Sequence, residues 1–130
     1  MADLPKPSAV VFAKDVARVA AFYEQVARLA VVHADADHMV LDGERSQLVV
    51  HAIPAHIAAR IEITAPPEVR EGMPVKLCLP VPSLAAARAA AARLGGALEA
   101  KEEEWQARGF RACDGYDPEG NVVQFRESAA

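Results

Sequence analysis

The order of short apolar runs along this chain repeats once, and this repeat limits the possible folds more than any other feature of the sequence. Each half contains a strand-like run, a helical pattern and then three more strand-like runs. The runs occupy 8–15, 29–34, 38–41 and 46–53 in the first half, and 75–81, 96–100, 107–115 and 122–127 in the second. Such a repeat predicts a duplicated α+β domain in which neither half covers its sheet alone.

The two helical patterns begin at equivalent positions. Asp15 and Ser83 are residue types that cap helix N-termini, and they lie 68 positions apart. Apolar residues follow Asp15 at the three- and four-residue spacing of a helix, and the glycines at 95–96 end the second pattern. Hairpin turns are predicted at 42–43 and 117–121, where glycine accepts a positive φ.

Composition narrows the possible functions. The chain has 130 residues, 52% of them hydrophobic, so one domain with a buried core is expected. The net charge is −4 and no basic tract occurs, which argues against binding to nucleic acid. No apolar run reaches the roughly 18 residues of a membrane span, and no signal peptide is recognisable. Cys78 and Cys113 lack CxxC spacing and are expected to be buried, reduced thiols. We therefore predict a cytoplasmic protein with no membrane contact.

Residues 54–74 interrupt the repeat. This segment holds four of the nine prolines and mixes both signs of charge, which is typical of a linker. The sequence is therefore predicted to form a single domain over 1–130, with module one at 8–53 and module two at 75–127. A short ordered piece is expected within the linker at 61–63.

Two motifs resemble a known superfamily. The strand that runs into Asp15 and the following Phe22-Tyr23-Glu24 are similar to the opening of vicinal oxygen chelate proteins, and DPEGN at 117–121 resembles their closing motif. This superfamily includes glyoxalase I, extradiol dioxygenases, and fosfomycin- and bleomycin-resistance proteins. The resemblance implies two tandem βαβββ modules that form a curled mixed sheet around a cleft, and it implies a homodimer.

The resemblance also implies where a metal ion would be held. Metal-binding members place His or Glu on the first and last strands of each module, and the matching residues here are Ser8, Lys76, Gln124 and either His51 or Val50. A hydroxyl, an ammonium and a neutral amide are poor ligands for a divalent cation. The chain therefore resembles the metal-free, bleomycin-resistance-like members, and neither a metal nor a cofactor is expected.

Two further side chains join the predicted ligand site. Cys78 lies two residues after Lys76 and would share its face of the strand, with a core position as the alternative. Trp105 is the only tryptophan, and aromatics near this point flank the ligand in metal-free relatives; its alternative role is to cover the core. The predicted ligand-binding residues are Ser8, His51, Lys76, Cys78, Trp105 and Gln124.

The histidines leave alternatives open. His33 and His38 flank the turn that contains Asp35 and Asp37. They either face solvent or form a surface zinc site, although their spacing matches no recognised zinc motif. His51 lies within a strand-like run, where it is either a hydrogen-bonded structural residue or a metal ligand.

Together these patterns predict a metal-free protein that sequesters or carries a partly aromatic small molecule in the cleft between modules, as antibiotic-resistance proteins of this kind do. The alternative is an enzyme, a glyoxalase-like lyase or a dioxygenase, whose non-standard metal site uses His51 and Glu62. A structural or regulatory dimer with an unused cleft is the third hypothesis.

Overall fold

The computed structural model describes residues 3–129. Its helices are α1 (Val16–Val26), α2 (Ala55–Ala58) and α3 (Leu84–Arg93), with a 3₁₀ turn at Lys101–Glu103. Its strands are β1 (Ser8–Ala13), β2 (Ala30–Ala34), β3 (His38–Asp42), β4 (Gln47–Ala52), β5 (Leu77–Pro80), β6 (Ala97–Leu98), β7 (Trp105–Gln106), β8 (Phe110–Tyr116) and β9 (Val122–Ser128). No helix within 3–129 is long and apolar enough to cross a bilayer.

The strands form two mixed sheets, one from each half of the chain. The first sheet has the order β1-β4-β3-β2, and the second has the order β5-β9-β8-β6, with β7 also pairing with β8. In each sheet the first strand of the half runs parallel to the last one, and the other pairs are antiparallel. This repeated topology confirms the predicted α+β fold of two βαβββ modules.

Both module helices begin where the sequence predicts. The Asp15 side chain accepts a hydrogen bond from Arg18 N at 3.1 Å, and the Ser83 side chain accepts one from Ala86 N at 3.1 Å. Each cap satisfies an N–H group that has no partner within the first turn of its helix. After α3, Gly95 at φ 89° lets the chain turn towards β6.

One hydrophobic core joins the two halves. Buried side chains from both module helices and both sheets form a single cluster, which includes Val50 from the first half and Ala91 and Val123 from the second. Phe22 of α1 in the first module packs against the second module, because its ring centroid lies 6.3 Å from that of Phe125 in β9. The face of each sheet that is turned away from this core, which we call its outer face, is left for solvent or a ligand.

The β8–β9 turn ties the second module to the first. Asp117 is fully buried and accepts a hydrogen bond from the Tyr23 hydroxyl at 2.8 Å. Glu119 is also buried, and its carboxylate accepts the backbone N–H groups of Lys14 and Asp15, both at 2.7 Å. Buried carboxylates are tolerated when several donors satisfy them. The DPEGN motif therefore has a structural role in this chain.

The linker and two loops differ from the sequence-based expectations. The linker contains the short helix α2, whereas residues 61–63 lie outside helices and strands. The predicted run at 107–115 becomes β8, which begins only after Gly109 at φ 77°, and the short strand β7 lies before that run. Gly43 does not adopt the predicted positive φ; the β3–β4 connection at 43–46 is closed by a hydrogen bond from Gly43 N to Ser46 O at 2.8 Å.

The two cysteines lie in different surroundings. Cys113 is buried as predicted, and burial is the main cause that raises its pKa. Cys78 is exposed, so its predicted burial is wrong. The reason is strand alternation: Leu77 and Leu79 pack against the core, so the residue between them points outward.

Candidate functional site

Strand alternation separates the two faces of the second sheet. Leu77, Val123 and Phe125 belong to the core or pack against it, so their neighbours along each strand point the other way. The outer face therefore carries Gln124 and Arg126 of β9. It also carries four of the predicted ligand-binding residues, which are Lys76, Cys78, Trp105 and Gln124.

A polar network crosses this outer face. The Asp114 carboxylate accepts a hydrogen bond from Lys76 Nζ at 3.0 Å and another from Gln124 Nε2 at 3.2 Å. Arg126 Nε donates to Gln124 Oε1 at 2.8 Å. Gln124 is only 8% exposed, and both polar atoms of its amide are engaged. The network thus holds two cations at its ends, with a single carboxylate and an amide between them.

Aromatic rings lie next to the Arg126 guanidinium. Its Cζ atom is 4.4 Å from the Phe110 ring centroid, and Arg108 Cζ lies 5.2 Å from the same centroid. Trp105 pairs with Ala112, which in turn pairs with Arg126, so these three side chains share the outer face. Trp105 is 39% exposed, which leaves part of its indole open to a ligand.

An ion-pair cluster holds the start of β7 in place. Glu104 Oε2 lies 2.6 Å from Arg88 Nη2, and its Oε1 lies 2.7 Å from Arg111 Nε. Burial raises the pKa of Glu104, but the hydrogen bonds from Arg111 and Arg88 outweigh it, and the pKa is lowered. These ion pairs fix Glu104, the residue that directly precedes Trp105 in the chain.

Ser8 and Cys78 line the same small cavity between the two sheets. Its volume is about 190 Å³, and Leu29 and Leu48 are also part of its wall. Cys78 pairs with Gln124 in the β5–β9 ladder, which places the cavity beside the polar network. Small-molecule pockets usually exceed about 300 Å³, so this cavity could take only one end of a ligand.

His51 belongs to a different group of side chains. It lies on the outer face of the first sheet, where its ring stacks on His38 with a centroid distance of 5.6 Å and an interplanar angle of 12°. Its other ring neighbour is Phe12 at 5.9 Å, and its Nδ1 lies 2.9 Å from Ala52 O. The structure therefore brings together the predicted residues of the second sheet, with Ser8 beside them, and leaves His51 elsewhere.

Strand register identifies the first-module counterpart of Gln124. Gln124 pairs with Cys78, and the 68-residue offset of the repeat makes Val10 the equivalent of Cys78. Val10 pairs with Val49, so Val49 is the counterpart. The register therefore favours Val49 over the predicted His51 or Val50, and the apolar run of β4 by itself contains no signal for its pairing with β1.

The side chains at the four superfamily positions do not fit a divalent metal ion. Val49 has no donor atom, and Ser8 offers only a neutral hydroxyl. The Lys76 ammonium is paired with Asp114, and the Gln124 amide is already engaged on both sides. A divalent ion needs several imidazole or carboxylate donors around one point, which this set does not supply.

His51 and Glu62, the alternative pair of metal ligands, lie in different surroundings. Glu62 is exposed in the linker and lines a cavity of about 500 Å³ with Glu68 and Arg70. His51 instead packs in the row of rings on the first sheet.

Sequence reasoning missed three residues of this outer face, which are Phe110, Asp114 and Arg126. Arg126 follows Gln124 by two positions, so strand alternation alone could have indicated it. Phe110 and Asp114 lie on β8, and only the β8–β9 register shows that they share the face of Gln124.

Comparisons with known proteins agree with this fold. Residues 8–125 match the family described as glyoxalase-like domain. A glyoxalase/bleomycin resistance protein/dioxygenase family enzyme from Burkholderia phytofirmans PsJN is similar with a TM-score of 0.67 and 20% identity, over 93% of this chain and 96% of that one. None of the curated protein sequences matches significantly.

Two resistance-related structures are also similar. A bleomycin-binding protein complexed with bleomycin has a TM-score of 0.58 and 21% identity, over 98% of this chain and 99% of its own. The fosfomycin resistance protein FosX from Mesorhizobium loti has a TM-score of 0.64 and 12% identity, over 99% of this chain and 95% of its own. At these identities the likeness concerns the fold, whereas the family match spans most of the sequence. The chain therefore belongs to the glyoxalase-like family, within the vicinal oxygen chelate superfamily.

Proposed function

We propose that this protein binds a small molecule that carries an anionic or carbonyl group beside a planar ring, and that it does so without a metal ion. The observation that carries the proposal is the polar network of the second sheet. Lys76 and Arg126 are two cations on one small surface, where Lys76 donates to the Asp114 carboxylate and Arg126 donates to the neutral Gln124 amide. An ammonium and a guanidinium in this arrangement favour an anionic or strongly polarised oxygen.

The aromatic rings beside the network would bind the planar ring of the ligand. Trp105 is partly exposed, and Phe110 lies under the Arg126 guanidinium. Aromatic faces bind planar molecules through buried area, and a favourable ring pair adds about 0.5–1.5 kcal/mol. A ligand with one charged end and one flat end would satisfy both parts of this surface.

The fold comparison supports a binding role of this general type. One similar structure contains bleomycin bound to a bleomycin-binding protein. Bleomycin and simple aromatic carboxylates are therefore the first probes for this chain.

Titration of the purified protein with these probes, followed by calorimetry and Trp105 fluorescence, tests the proposal. Lys76→Met and Arg126→Gln are each expected to weaken binding about tenfold to hundredfold, because each removes a charge-assisted hydrogen bond. Arg93→Gln removes an exposed cation at the end of α3 and should bind as the wild type does. Three results would contradict the proposal. They are wild-type affinity in both site variants, binding that requires an added divalent metal, and no binding by any probe.

We also propose that the protein forms a homodimer. Val10 and Phe12 on β1 and Val32 on β2 are 52%, 55% and 58% exposed, which supports a partner surface on the first sheet. Sedimentation velocity should show a dimer for the wild type and a monomer for Phe12→Asp. Met73→Asp alters an equally exposed apolar residue of the linker and should remain dimeric. A monomeric wild type would refute this proposal.

A further inference from the structure

Two histidines and an aspartate converge at the tip of the β2–β3 hairpin. His33 Nε2 lies 2.8 Å from Asp35 Oδ2, and His38 Nδ1 lies 3.3 Å from Asp35 Oδ1. One potential ligand atom from each of the three residues lies within 4.8 Å of the other two. These residues belong to the first sheet and its hairpin, not to the polar network of the second sheet.

These separations suit a metal ion. Zinc ligands lie about 2.0–2.2 Å from the ion, so two ligands at a tetrahedral angle are roughly 3.4 Å apart. The His38 contact at 3.3 Å to Asp35 Oδ1 is close to that spacing, and the His33 contact to the other carboxylate oxygen, Oδ2, is shorter at 2.8 Å. An ion would replace the hydrogen now shared by His33 and Asp35.

The hairpin holds the central ligand in a fixed orientation. Asp35 Oδ1 accepts the backbone N–H groups of Asp37 at 2.8 Å and His38 at 3.0 Å, which leaves Oδ2 directed at His33. The His38 ring stacks against His51, which restricts its rotation. Outer-shell contacts of this kind orient metal ligands before the ion arrives.

We propose that His33, Asp35 and His38 form a binding site for a divalent transition-metal ion of the zinc class. Two imidazole nitrogens and one carboxylate oxygen suit zinc and its neighbours, whereas magnesium and calcium prefer all-oxygen sites. The three side chains are 32–50% exposed, so the ion enters directly from solvent and a water molecule takes the remaining position. The site shares no residue with the superfamily metal positions.

Titration of the tag-free, full-length protein with ZnCl₂, at a pH where imidazole ligands are neutral, tests the site. One zinc ion per chain is expected, and Co²⁺ should give visible absorption with the same stoichiometry. His33→Ala and His38→Ala are each expected to weaken zinc binding at least tenfold. His56→Ala removes an exposed histidine of α2 outside the cluster and is the matched control, with wild-type affinity.

A second variant separates ligand loss from hairpin loss. Asp35→Asn keeps an acceptor for the two backbone N–H groups but removes the charge, so it should weaken zinc binding while the far-ultraviolet circular dichroism stays unchanged. Zinc should raise the thermal midpoint of the wild type and of His56→Ala, and should not raise that of the His33→Ala/His38→Ala double variant.

Two results would overturn the site. One is a double variant that binds zinc as tightly as the wild type. The other is a wild type with no saturable binding up to about 1 mM Zn²⁺. The double variant retains every residue of the second-sheet network, so it should bind small molecules normally. Failure of the metal site is thus distinguishable from failure of the proposed ligand binding.

Discussion

Asp117 accommodates a buried negative charge through neutral donors. Its carboxylate is fully buried and accepts hydrogen bonds from the Tyr23 hydroxyl, from the backbone N–H groups of Glu119 and Asn121, and from the Asn121 side-chain amide. Hydrogen bonds to a charged acceptor offset the cost of removing it from water. Burial, together with the charge of Asp117, in turn raises the pKa of the Tyr23 phenol well above its usual value.

Removal of the Tyr23 hydroxyl is expected to destabilise the fold. Tyr23→Phe should lower the free energy of unfolding by about 1.5–3 kcal/mol, because a hydrogen bond to a buried carboxylate is lost. Urea denaturation measures the change. Tyr116→Phe is the control, since the second tyrosine of the chain does not contact Asp117 through its hydroxyl, and it should stay within about 0.5 kcal/mol of the wild type.

The raised Tyr23 pKa predicts a loss of stability in alkali. Below about pH 10 the phenol is protonated in the folded and unfolded states, so it contributes no pH dependence. Above that pH the unfolded tyrosine ionises while the folded one keeps its proton, so stability falls as pH rises towards the folded pKa. The thermal midpoint of the wild type should therefore decline more steeply than that of Tyr23→Phe in this range. Parallel slopes would show that Tyr23 is not responsible.

At the scale of elements, the β8–β9 turn is constrained by both its backbone and its neighbours. Gly120 adopts φ 85°, and a Cβ atom built on it would lie 2.0 Å from the Glu68 carbonyl oxygen of the linker. Arg70 N also donates to Gly120 O at 2.8 Å. Only glycine accepts this φ and this close approach together.

Two glycine substitutions separate these constraints. Gly72→Ala places a Cβ at φ 76° in open space and is expected to cost about 1–2 kcal/mol from the backbone conformation alone. Gly120→Ala has the same backbone cost and must also displace the linker, so a total of about 3 kcal/mol or more is expected. Chemical denaturation compares the two variants. Equal losses in the free energy of unfolding would mean that the linker moves away from the new methyl group at little cost.

The elements were largely predictable from sequence because their signals are local. The cap at Asp15, the cap at Ser83 and the positive φ of Gly120 follow from residue type and from neighbours a few positions away. The helix α2 was missed because four residues with a proline at the N-cap carry too little periodicity.

At the scale of the whole molecule, both modules contribute side chains to one hydrophobic core. Phe22 of the first module is fully buried, and it contacts Tyr23 at 5.1 Å and Phe125 of the second module at 6.3 Å between ring centroids. A side chain that fills space between modules stabilises both of them.

A core truncation should therefore affect both modules equally. Phe22→Ala is expected to lower the free energy of unfolding by about 3–5 kcal/mol. The unfolding midpoints from far-ultraviolet circular dichroism and from fluorescence of Trp105, in the second module, should shift together. Met73→Ala, an exposed change in the linker, should leave both midpoints near their wild-type values. A Trp105 transition that stays in place in Phe22→Ala would show independent modules.

The candidate ligand site was only partly accessible from sequence. Alternation placed Lys76 and Cys78 on one face, the superfamily resemblance placed Gln124 at the same site, and the structure brings the three together. Asp114, which joins Lys76 to Gln124, was missed because it lies on another strand. The choice between His51 and Val50 could not be made from sequence for the same reason, since neither strand alone specifies the pairing of β1 with β4.

The sequence by itself determined the duplicated order of strands and helices, the helix caps and the turn residues, because periodicity and φ preference act over a few neighbouring positions. Only the tertiary structure decided which distant side chains meet, including the network around Asp114, the tie between Tyr23 and Asp117, and the row of rings that contains His51. Strand register and helix packing set those contacts, and both depend on how the whole apolar surface is buried at once.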